Sequence, residues 1–305
     1  MDRYFLLKHG GERYPPLIQT WSLRGREAIR LGITNPRAGP NTYVGLLESE
    51  SLEGALRRIG SAWFADGYEL AECTLPPGQY YKRIARPTGA YPHDPISYPD
   101  LRPYESQLAT FASQLFALTR TFTSICQTVQ PATENLNVYG HDIRNLLVLA
   151  STEVEAQWKA ILRANGVEQA RLDRRDYKGL LDALRLDEYE IGFPFYPWLE
   201  PMRPFAEWRD GTLRWYTAYN NVKHGREEFF PQATLENAAM AMLACVVMFV
   251  AQFGNVQNSR IKSELFDFFR VVRRPKWLLG QVYLMADDEH PPMAVNYPFG
   301  KTGKS

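Results

Sequence analysis

The chain places an amide and an imidazole four positions apart, at Asn220 and His224. Residues with this spacing share one face of an α-helix, so the two side chains are expected to lie side by side. Histidine is the side chain that ordinarily gains and loses a proton near neutral pH. The pair therefore predicts general acid/base chemistry, with Lys223 and Arg226 nearby to offset developing negative charge.

The same residues also fit the ordinary end of a helix. Lys223 and His224 directly precede Gly225. Cations in the last turn complement the helix dipole, and a glycine that follows them can turn left-handed. The sequence leaves both interpretations of His224 open, as a proton-transfer group and as a capping cation.

An acidic residue on an earlier helix is a further candidate. An apolar stripe predicts a helix over residues 142–164. At 100° per residue, Glu153 lies nearer than Glu155 to the centre of that stripe. A partly buried carboxylate needs a partner or a raised pKa. We therefore expect Glu153 to face inward beside His224, with an ordinary ion pair at the edge of the helix as the alternative.

Two segments of the chain together resemble the HEPN superfamily. They are residues 141–159 and residues 219–227. The resemblance covers residues 104–257 and implies a small all-α domain. Many members of that superfamily are metal-independent ribonucleases or RNA-binding toxins. Their motif is an arginine, a polar residue, a few variable residues and a histidine, beside an acidic residue on an earlier helix.

Tyr219 stands where that motif has its arginine, whereas Asn220 and His224 match the polar and histidine positions. The arginine is expected to hold or polarise the phosphate. The nearest upstream arginine, Arg214, precedes His224 by ten residues, about 15 Å along a helix, so it cannot simply substitute. Two classes therefore stay open: a ribonuclease, and a non-catalytic RNA- or protein-binding module with the same fold.

These groups suit RNA cleavage in which the ribose 2′-OH attacks the adjacent phosphate. The substrate then supplies the nucleophile, and the protein need only move protons and stabilise charge. His224 is the expected general acid/base, and Asn220 is expected either to orient it or to bind a phosphate oxygen. The candidate catalytic residues are His224, Asn220, Lys223 and Glu153, and the candidate substrate-binding residues are Arg226, Asn221, Tyr219 and Arg144. No metal and no other cofactor is expected.

The resemblance also implies partners. HEPN-like domains usually pair so that two motifs meet at one groove, which implies a homodimer built on residues 104–257. A second chain could then supply the arginine that Tyr219 replaces. RNA is the expected substrate. A toxin–antitoxin or phage-defence component, with an antitoxin or sensor partner bound through the N-terminal domain, is a further alternative.

The composition is that of an ordinary soluble protein. The 305 residues favour about two domains, and 45% are hydrophobic and 23% charged. The 35 basic and 34 acidic residues leave a net charge of +1, so RNA binding would need a local basic patch.

The cysteines and the apolar runs indicate a cytoplasmic protein without a membrane segment. Cys73, Cys126 and Cys245 are widely spaced and odd in number, which fits neither a disulfide framework nor a zinc site. The longest apolar run, 238–251, is shorter than the roughly 20 residues that span a bilayer, and predicts a core helix. The apolar run near the N-terminus is too short for a signal peptide.

The elements predict an α+β fold with an N-terminal α+β domain and a helical bundle. The predicted domains are residues 1–100, of unassigned role, the HEPN-like bundle 104–257, and an extension 258–305 with a disordered tail. The proline-rich segment 86–103 marks the boundary. In the first domain, strands are predicted at 42–47 and 79–84 and a helix at 51–65 capped by Ser51.

Five helices are predicted in the bundle, over 104–130, 142–164 with Asp142 as its N-cap, 177–186, 205–224 and 232–253. The aromatic connection 193–205 either packs on the core or stacks on bases. A strand is predicted over 277–284, and the acidic run 287–290 is predicted to be a solvated loop. The phosphate-loop, dinucleotide-binding and H-E-x-x-H motifs are absent from the sequence.

Overall fold

The structure is a computed structural model and describes residues 2–10, 17–32, 37, 41–65, 67–88, 100–254 and 265–299, apart from the side chains of Arg174 and Arg226. The chain divides into two compact units. The first consists of Met1–Tyr80, Arg86–Asp100 and Trp277–Val295, and the second of Tyr81–Ala85, Leu101–Lys276 and Asn296–Ser305. Most of the proline-rich segment and the last six residues of the predicted disordered tail lie outside the described residues.

The first unit is built on a five-stranded antiparallel sheet with the strand order β4-β3-β2-β1-β5. The strands are β1 (Arg3–His9), β2 (Leu17–Arg24), β3 (Glu27–Arg30), β4 (Tyr43–Gly45) and β5 (Tyr68–Glu72). One face packs on helix α1 (Leu52–Ile59), where Trp21 and Leu56 are fully buried. Ser51 caps α1 as predicted, because its side chain accepts a hydrogen bond from the Gly54 N–H.

The C-terminal segment of this unit covers the other face of the sheet. Leu279, Val282 and Leu284 pack there on Tyr4 and Leu6. The strand predicted over 277–284 is therefore wrong, and the segment contains a 3₁₀ turn at Leu279–Gln281 and a single β-bridge from Tyr283 to Thr88. Its alternating apolar residues are buried by lying on the sheet rather than by pairing at its edge.

A glycine allows this close approach. An added Cβ at Gly280 would lie 2.2 Å from the carbonyl oxygen of Glu72, far inside van der Waals contact. The Gly280 carbonyl also accepts a hydrogen bond from the Thr74 N–H at 2.8 Å. The segment is thus held against the end of β5 at a position that favours glycine.

The predicted solvated loop at residues 287–290 folds back on the sheet. The Nδ1 of His290 lies 2.8 Å from Asp287 Oδ1, and its Nε2 lies 3.1 Å from the Tyr4 hydroxyl. Farther along, the short strand β9 (Met293–Val295) pairs with β6 (Gln79–Tyr81). Asp288 and Glu289 are exposed, so the solvated-loop prediction holds for them but not for His290.

The second unit is a helical bundle. Its helices are α2 (Glu105–Thr128), α3 (His141–Ala164), α4 (Arg174–Leu184), α5 (Arg214–His224), α6 (Arg226–Phe229) and α7 (Leu235–Phe253). Strands β7 (Glu190–Gly192) and β8 (Arg270–Arg273) form a small antiparallel pair. The N-terminal antiparallel sheet followed by helices confirms the α+β class. Gly140, not Asp142, occupies the N-cap of α3.

Helix α7 is the core of the bundle. It is long and apolar enough to span a membrane by length and composition, but 83% of that apolar stretch is buried inside the structure. This is the burial expected of a core helix. Thr234 caps the helix by accepting a hydrogen bond from the Asn237 N–H at 3.2 Å. Because its apolar surface is already covered, α7 leaves little apolar area for a dimer contact.

The motif helix α5 begins nine residues later than the predicted start at residue 205. The residues before α5 do not continue the α-helix and instead pack in an aromatic cluster. Trp208 stacks on Trp158 with ring centroids 4.8 Å apart, and Phe205 stacks on Trp208 at 5.6 Å. The preceding aromatic connection is divided between core and surface, since Phe193 is buried whereas Trp198 is 52% exposed.

Candidate functional site

Helix α5 lies antiparallel to α3. Near the start of α5, the Tyr216 ring contacts Trp158, in the second half of α3, at 5.4 Å between centroids. Just beyond the end of α5, Phe230 contacts His141, the first residue of α3, at 5.0 Å. The two helices therefore run in opposite directions, and we call the line along which their side chains meet the α3–α5 seam.

A tyrosine–carboxylate pair lies in the α3–α5 seam. The Tyr216 hydroxyl donates a hydrogen bond to Glu155 Oε1. Burial raises the pKa of Tyr216, and the hydrogen bond to Glu155 raises it further. Tyr216 therefore stays a neutral donor across the physiological range. Lys159 Nζ lies 4.0 Å from Glu155 on the solvent side, and the Glu155 side chain is 17% exposed.

Glu153, the acid expected at this position, contacts other groups. Its Oε1 accepts a hydrogen bond from Gln157 Nε2 at 2.5 Å. Gln157 Oε1 in turn accepts one from Arg83 Nη2 at 2.7 Å. Glu153 is half-buried, as is Glu155, but of the two acids it is Glu155 that accepts a hydrogen bond from the motif helix α5.

The reason lies in the width of the buried face of α3. Ser151 and Leu162 are both buried, yet neither belongs to the apolar stripe from which the orientation of Glu153 was predicted. They lie four positions before and seven positions after Glu155, so all three share one side of the helix. At Glu155 that side meets α5 through Tyr216, which extends the buried surface around α3 to this residue.

A tyrosine–lysine pair lies on α5 itself. Tyr219 is fully buried, and its hydroxyl accepts a hydrogen bond from Lys223 Nζ at 2.9 Å. The ammonium also lies 5.1 Å from the centroid of the Tyr219 ring. The hydrogen bond to Tyr219, with a weaker attraction from Glu155, raises the pKa of Lys223, so this side chain stays cationic. Tyr219, expected to bind substrate, would thus act on a ligand only through Lys223.

Asn220 and His224 both lie on α5, with the predicted four-residue spacing, but their environments differ. Asn220 is half-buried, and its Nδ2 donates to the Tyr216 carbonyl oxygen one turn earlier at 2.9 Å. His224 is exposed in the last turn. Within the described part of the chain, its ring has no hydrogen-bond or ion-pair partner. The imidazole is therefore accessible to a ligand, and no carboxylate of the described residues orients it.

Gly225 ends α5 without the left-handed turn that a glycine cap would have predicted. Its backbone angles are φ −134° and ψ 63°. An added Cβ would lie 2.7 Å from the Phe229 ring. The close approach of that ring, not a positive φ, is what favours glycine here. The Gly225 N–H donates to the Asn221 carbonyl at 2.8 Å, which closes the last turn beside His224.

The remaining predicted ligand-binding residues lie in three different environments. Asn221 donates from Nδ2 to Gln232 Oε1 at 2.9 Å, away from the seam. Arg226 begins α6, and its side chain lies outside the described atoms. Arg144 is in the first turns of α3, where its Nη1 donates to Asn145 Oδ1 at 3.0 Å.

Arg144 lies on the same side of α3 as Glu155, eleven residues earlier, which is about three helical turns. Because the helices are antiparallel, that side of α3 at Arg144 is directed toward the end of α5 that carries His224. The Arg144 Nε is buried and has no hydrogen-bond partner in the described structure. Sequence reasoning missed Glu155 and Tyr216, although the four-residue spacing from Tyr216 to Asn220 was a signal for a shared helix face.

The α3–α5 seam thus combines a held ammonium, a neutral phenol paired with a carboxylate, and an exposed imidazole at its end. These groups can bind an anion and transfer protons. The described residues contain no group of three or more His, Cys, Asp and Glu side chains that could hold a metal ion. No protein-family model matches this chain, and comparisons with curated proteins and with solved structures also give no match.

Proposed function

We propose that this protein is a HEPN-like, metal-independent endoribonuclease that cleaves RNA at the His224 end of the α3–α5 seam. The observation that carries the proposal is the Lys223 ammonium, held by Tyr219 next to the exposed His224 imidazole. A fixed cation beside an imidazole that can accept a proton suits attack by a ribose 2′-OH on a phosphate.

In the proposed reaction, His224 removes the proton from the 2′-OH as that oxygen attacks the neighbouring phosphorus. The bond from phosphorus to the 5′-oxygen then breaks, and a second acid protonates the leaving oxygen. The products are a 2′,3′-cyclic phosphate and a free 5′-OH, so no water and no redox partner enters the step. Lys223 offsets the charge that builds on the phosphate oxygens, and Arg144 and Arg226 are the proposed backbone-binding cations.

A homodimer supplies the second acid in this proposal. His224 has no partner among the described residues of its own chain, and one imidazole cannot readily serve both sides of an in-line displacement. Two copies that meet at the ends of their α5 helices would bring His224 of the partner subunit to the leaving oxygen. A cytoplasmic toxin or phage-defence role, with an antitoxin or sensor partner at the N-terminal unit, remains a prediction.

A non-catalytic RNA-binding module is the second candidate. Tyr219 favours it, because a fully buried ring occupies the position of the motif arginine. Its hydroxyl is also engaged by Lys223, and the Asn220 amide is engaged by the backbone of its own helix. In such a module the seam would still attract a phosphate backbone without accelerating its cleavage.

The decisive experiment is incubation of the purified protein with total RNA in excess chelator, beside His224→Ala purified in parallel. We expect cleavage that survives the chelator, leaves 2′,3′-cyclic phosphate ends and is lost in His224→Ala. Activity that disappears with chelator and returns with magnesium would contradict the mechanism. RNA binding without cleavage under any of these conditions would establish the binding module instead.

A further inference from the structure

A polar groove runs along the side of α5 that faces the first turn of α7. It consists of two adjoining cavities, of about 420 Å³ and about 280 Å³. Both are lined by Arg214, Glu236 and Asn237, which join them. The larger cavity opens along α5 at Thr217, and the smaller extends beneath residues 201–207.

The smaller cavity has an apolar side. Trp215 lines it together with Met202 and Met240. The Trp215 ring is fixed, because it is buried and its Nε1 donates to the Pro204 carbonyl at 2.8 Å. Trp215 is only 1% exposed, so Met202 and Met240 form most of the apolar surface that a ligand would meet there, and a planar heteroaromatic ring can pack on that surface.

Where the cavities join, the free polar atoms at α7 are acceptors. The Glu236 carboxylate is half-buried and has no hydrogen-bond or ion-pair partner among the described residues. Asn237 uses its Nδ2 to donate to the Gln232 carbonyl at 2.9 Å, which leaves its own side-chain oxygen available. A ligand that satisfies this side of the groove must therefore present adjacent donors.

Free donors come from α5 and from the loop before α7. Arg214 donates from Nε to Glu207 at 2.8 Å, which leaves its terminal NH₂ groups for a ligand. Gln232 accepts from Asn221 through Oε1, so its NH₂ group is also available. The groove therefore combines a pair of acceptors with separate donors beside an apolar surface.

We propose that this groove binds a guanine base. The Watson–Crick edge of guanine carries N1–H and the exocyclic NH₂ side by side, and the two can donate to the two oxygens of Glu236. Its O6 can then accept from Arg214 or Gln232. Adenine, cytosine and uracil each place an acceptor where Glu236 needs a donor, so the carboxylate discriminates against all three. Unstacked bases are read in this way in single-stranded RNA.

This inference rests on the proposed function for its source of guanine, namely RNA. Thr217, in the larger cavity, precedes His224 by seven residues on the same side of α5, about 10 Å along the helix axis. A guanosine seated in the groove would extend its phosphate toward His224. The groove would then select the base beside which the chain is cut.

The test is calorimetric titration of the full chain with each of the four nucleoside monophosphates. Two pentanucleotides, UUGUU and UUAUU, are compared in the same way. We expect GMP to bind at least tenfold more tightly than AMP, CMP or UMP, and UUGUU more tightly than UUAUU. Glu236→Gln should weaken GMP binding at least tenfold, because an amide replaces one of the two acceptors by a donor. Glu228→Gln, exposed and outside the groove, is the matched control.

Thermal midpoints of both variants show whether the folded state survives, since Glu236 lies in the first turn of α7. Equal affinity for the four nucleotides, or an unchanged GMP affinity in a folded Glu236→Gln, would overturn the inference. Cleavage of RNA without preference for guanine would do the same while leaving the proposed function standing. Guanine binding without cleavage would uphold the groove and remove the ribonuclease. Binding of GMP without binding of UUGUU would uphold guanine as the ligand but would overturn RNA as the source of that guanine.

Discussion

The Nζ of Lys223 lies 2.9 Å from the hydroxyl of Tyr219, one turn earlier on α5. Tyr219 is fully buried, so its ring acts as a platform that holds the ammonium at the surface of the α3–α5 seam. Positive charge at this site therefore comes from Lys223, whereas the position of the motif arginine serves the hydrophobic core.

An arginine at position 219 is expected to harm the protein. Tyr219→Arg would place a guanidinium where the exposed fraction is 0%, and an unpaired buried charge costs about 3–5 kcal/mol. Urea unfolding measures this loss, with Tyr139→Arg, at a half-exposed site, as the control. A Tyr219→Arg variant that kept its stability and cleaved RNA faster would show that the position is open to substrate.

The two acids of α3 are expected to differ in their effect on RNA cleavage. Glu155→Gln should lower the rate about 10- to 100-fold, because Glu155 alone of the two contacts α5 and helps to position Tyr216 and Lys223. Glu153→Gln, whose hydrogen bond is to Gln157, should leave the rate nearly unchanged. Single-turnover cleavage of one RNA by both variants makes the comparison, and the reverse order would count against the seam.

Substitutions of His224, Asn220 and Asn221 distinguish an active site from an ordinary helix end. As a general acid/base, His224→Gln should remove about 100-fold or more of cleavage, whereas loss of a capping cation would cost only about 0.3–1 kcal/mol of stability. Asn220→Ala should also slow cleavage. Asn221→Ala should instead cost about 1 kcal/mol through its lost bond to Gln232. Rates and urea midpoints of all three variants are needed, and a change in midpoints alone would establish the helix-end interpretation.

Stability is expected to fall as the pH rises above about 10, the ordinary pKa of tyrosine. Burial and the bond to Glu155 raise the pKa of folded Tyr216, so above that pH the folded chain binds more protons than the unfolded chain. This contribution to the free energy of unfolding is fully present below the pKa of Tyr216 in the unfolded chain. It is lost as the pH rises toward the higher pKa of Tyr216 in the folded chain. Tyr216→Phe should flatten this slope in urea titrations. Burial also raises the pKa of Tyr177 to about 12, so a residual slope should remain.

The proposed dimer predicts a mass that depends on concentration. Sedimentation equilibrium between about 1 and 100 µM should show the 35.0 kDa chain approaching twice its mass. Helix α7 is buried in its own unit and is therefore not expected to form the dimer contact. A surface substitution near the end of α5 should weaken the association instead, and His224→Gln is such a variant. A constant monomer mass over that range would remove the proposed source of the second acid.

Local features of the sequence determined most of the helices. The periodic apolar residues placed α2, α3 and α7 within three residues of their observed ends, because an amphipathic stripe and its caps act within a few turns. Ser51 was recognisable as a cap for the same reason. The late start of α5 and the packing of residues 277–284 on the sheet depended on partners distant in the chain, such as Trp158 and Tyr4.

The candidate site divides in the same way. The four-residue pairs Tyr216–Asn220, Tyr219–Lys223 and Asn220–His224 follow from the sequence, because helix geometry alone puts such residues on one side. The tertiary structure decided which acid of α3 contacts these residues. Periodicity shows that a helix has a buried side, but the flank that a neighbour covers depends on how the two helices pack. Only the packing of α5 on α3 brought Glu155 to the seam, buried Tyr219 and left His224 exposed.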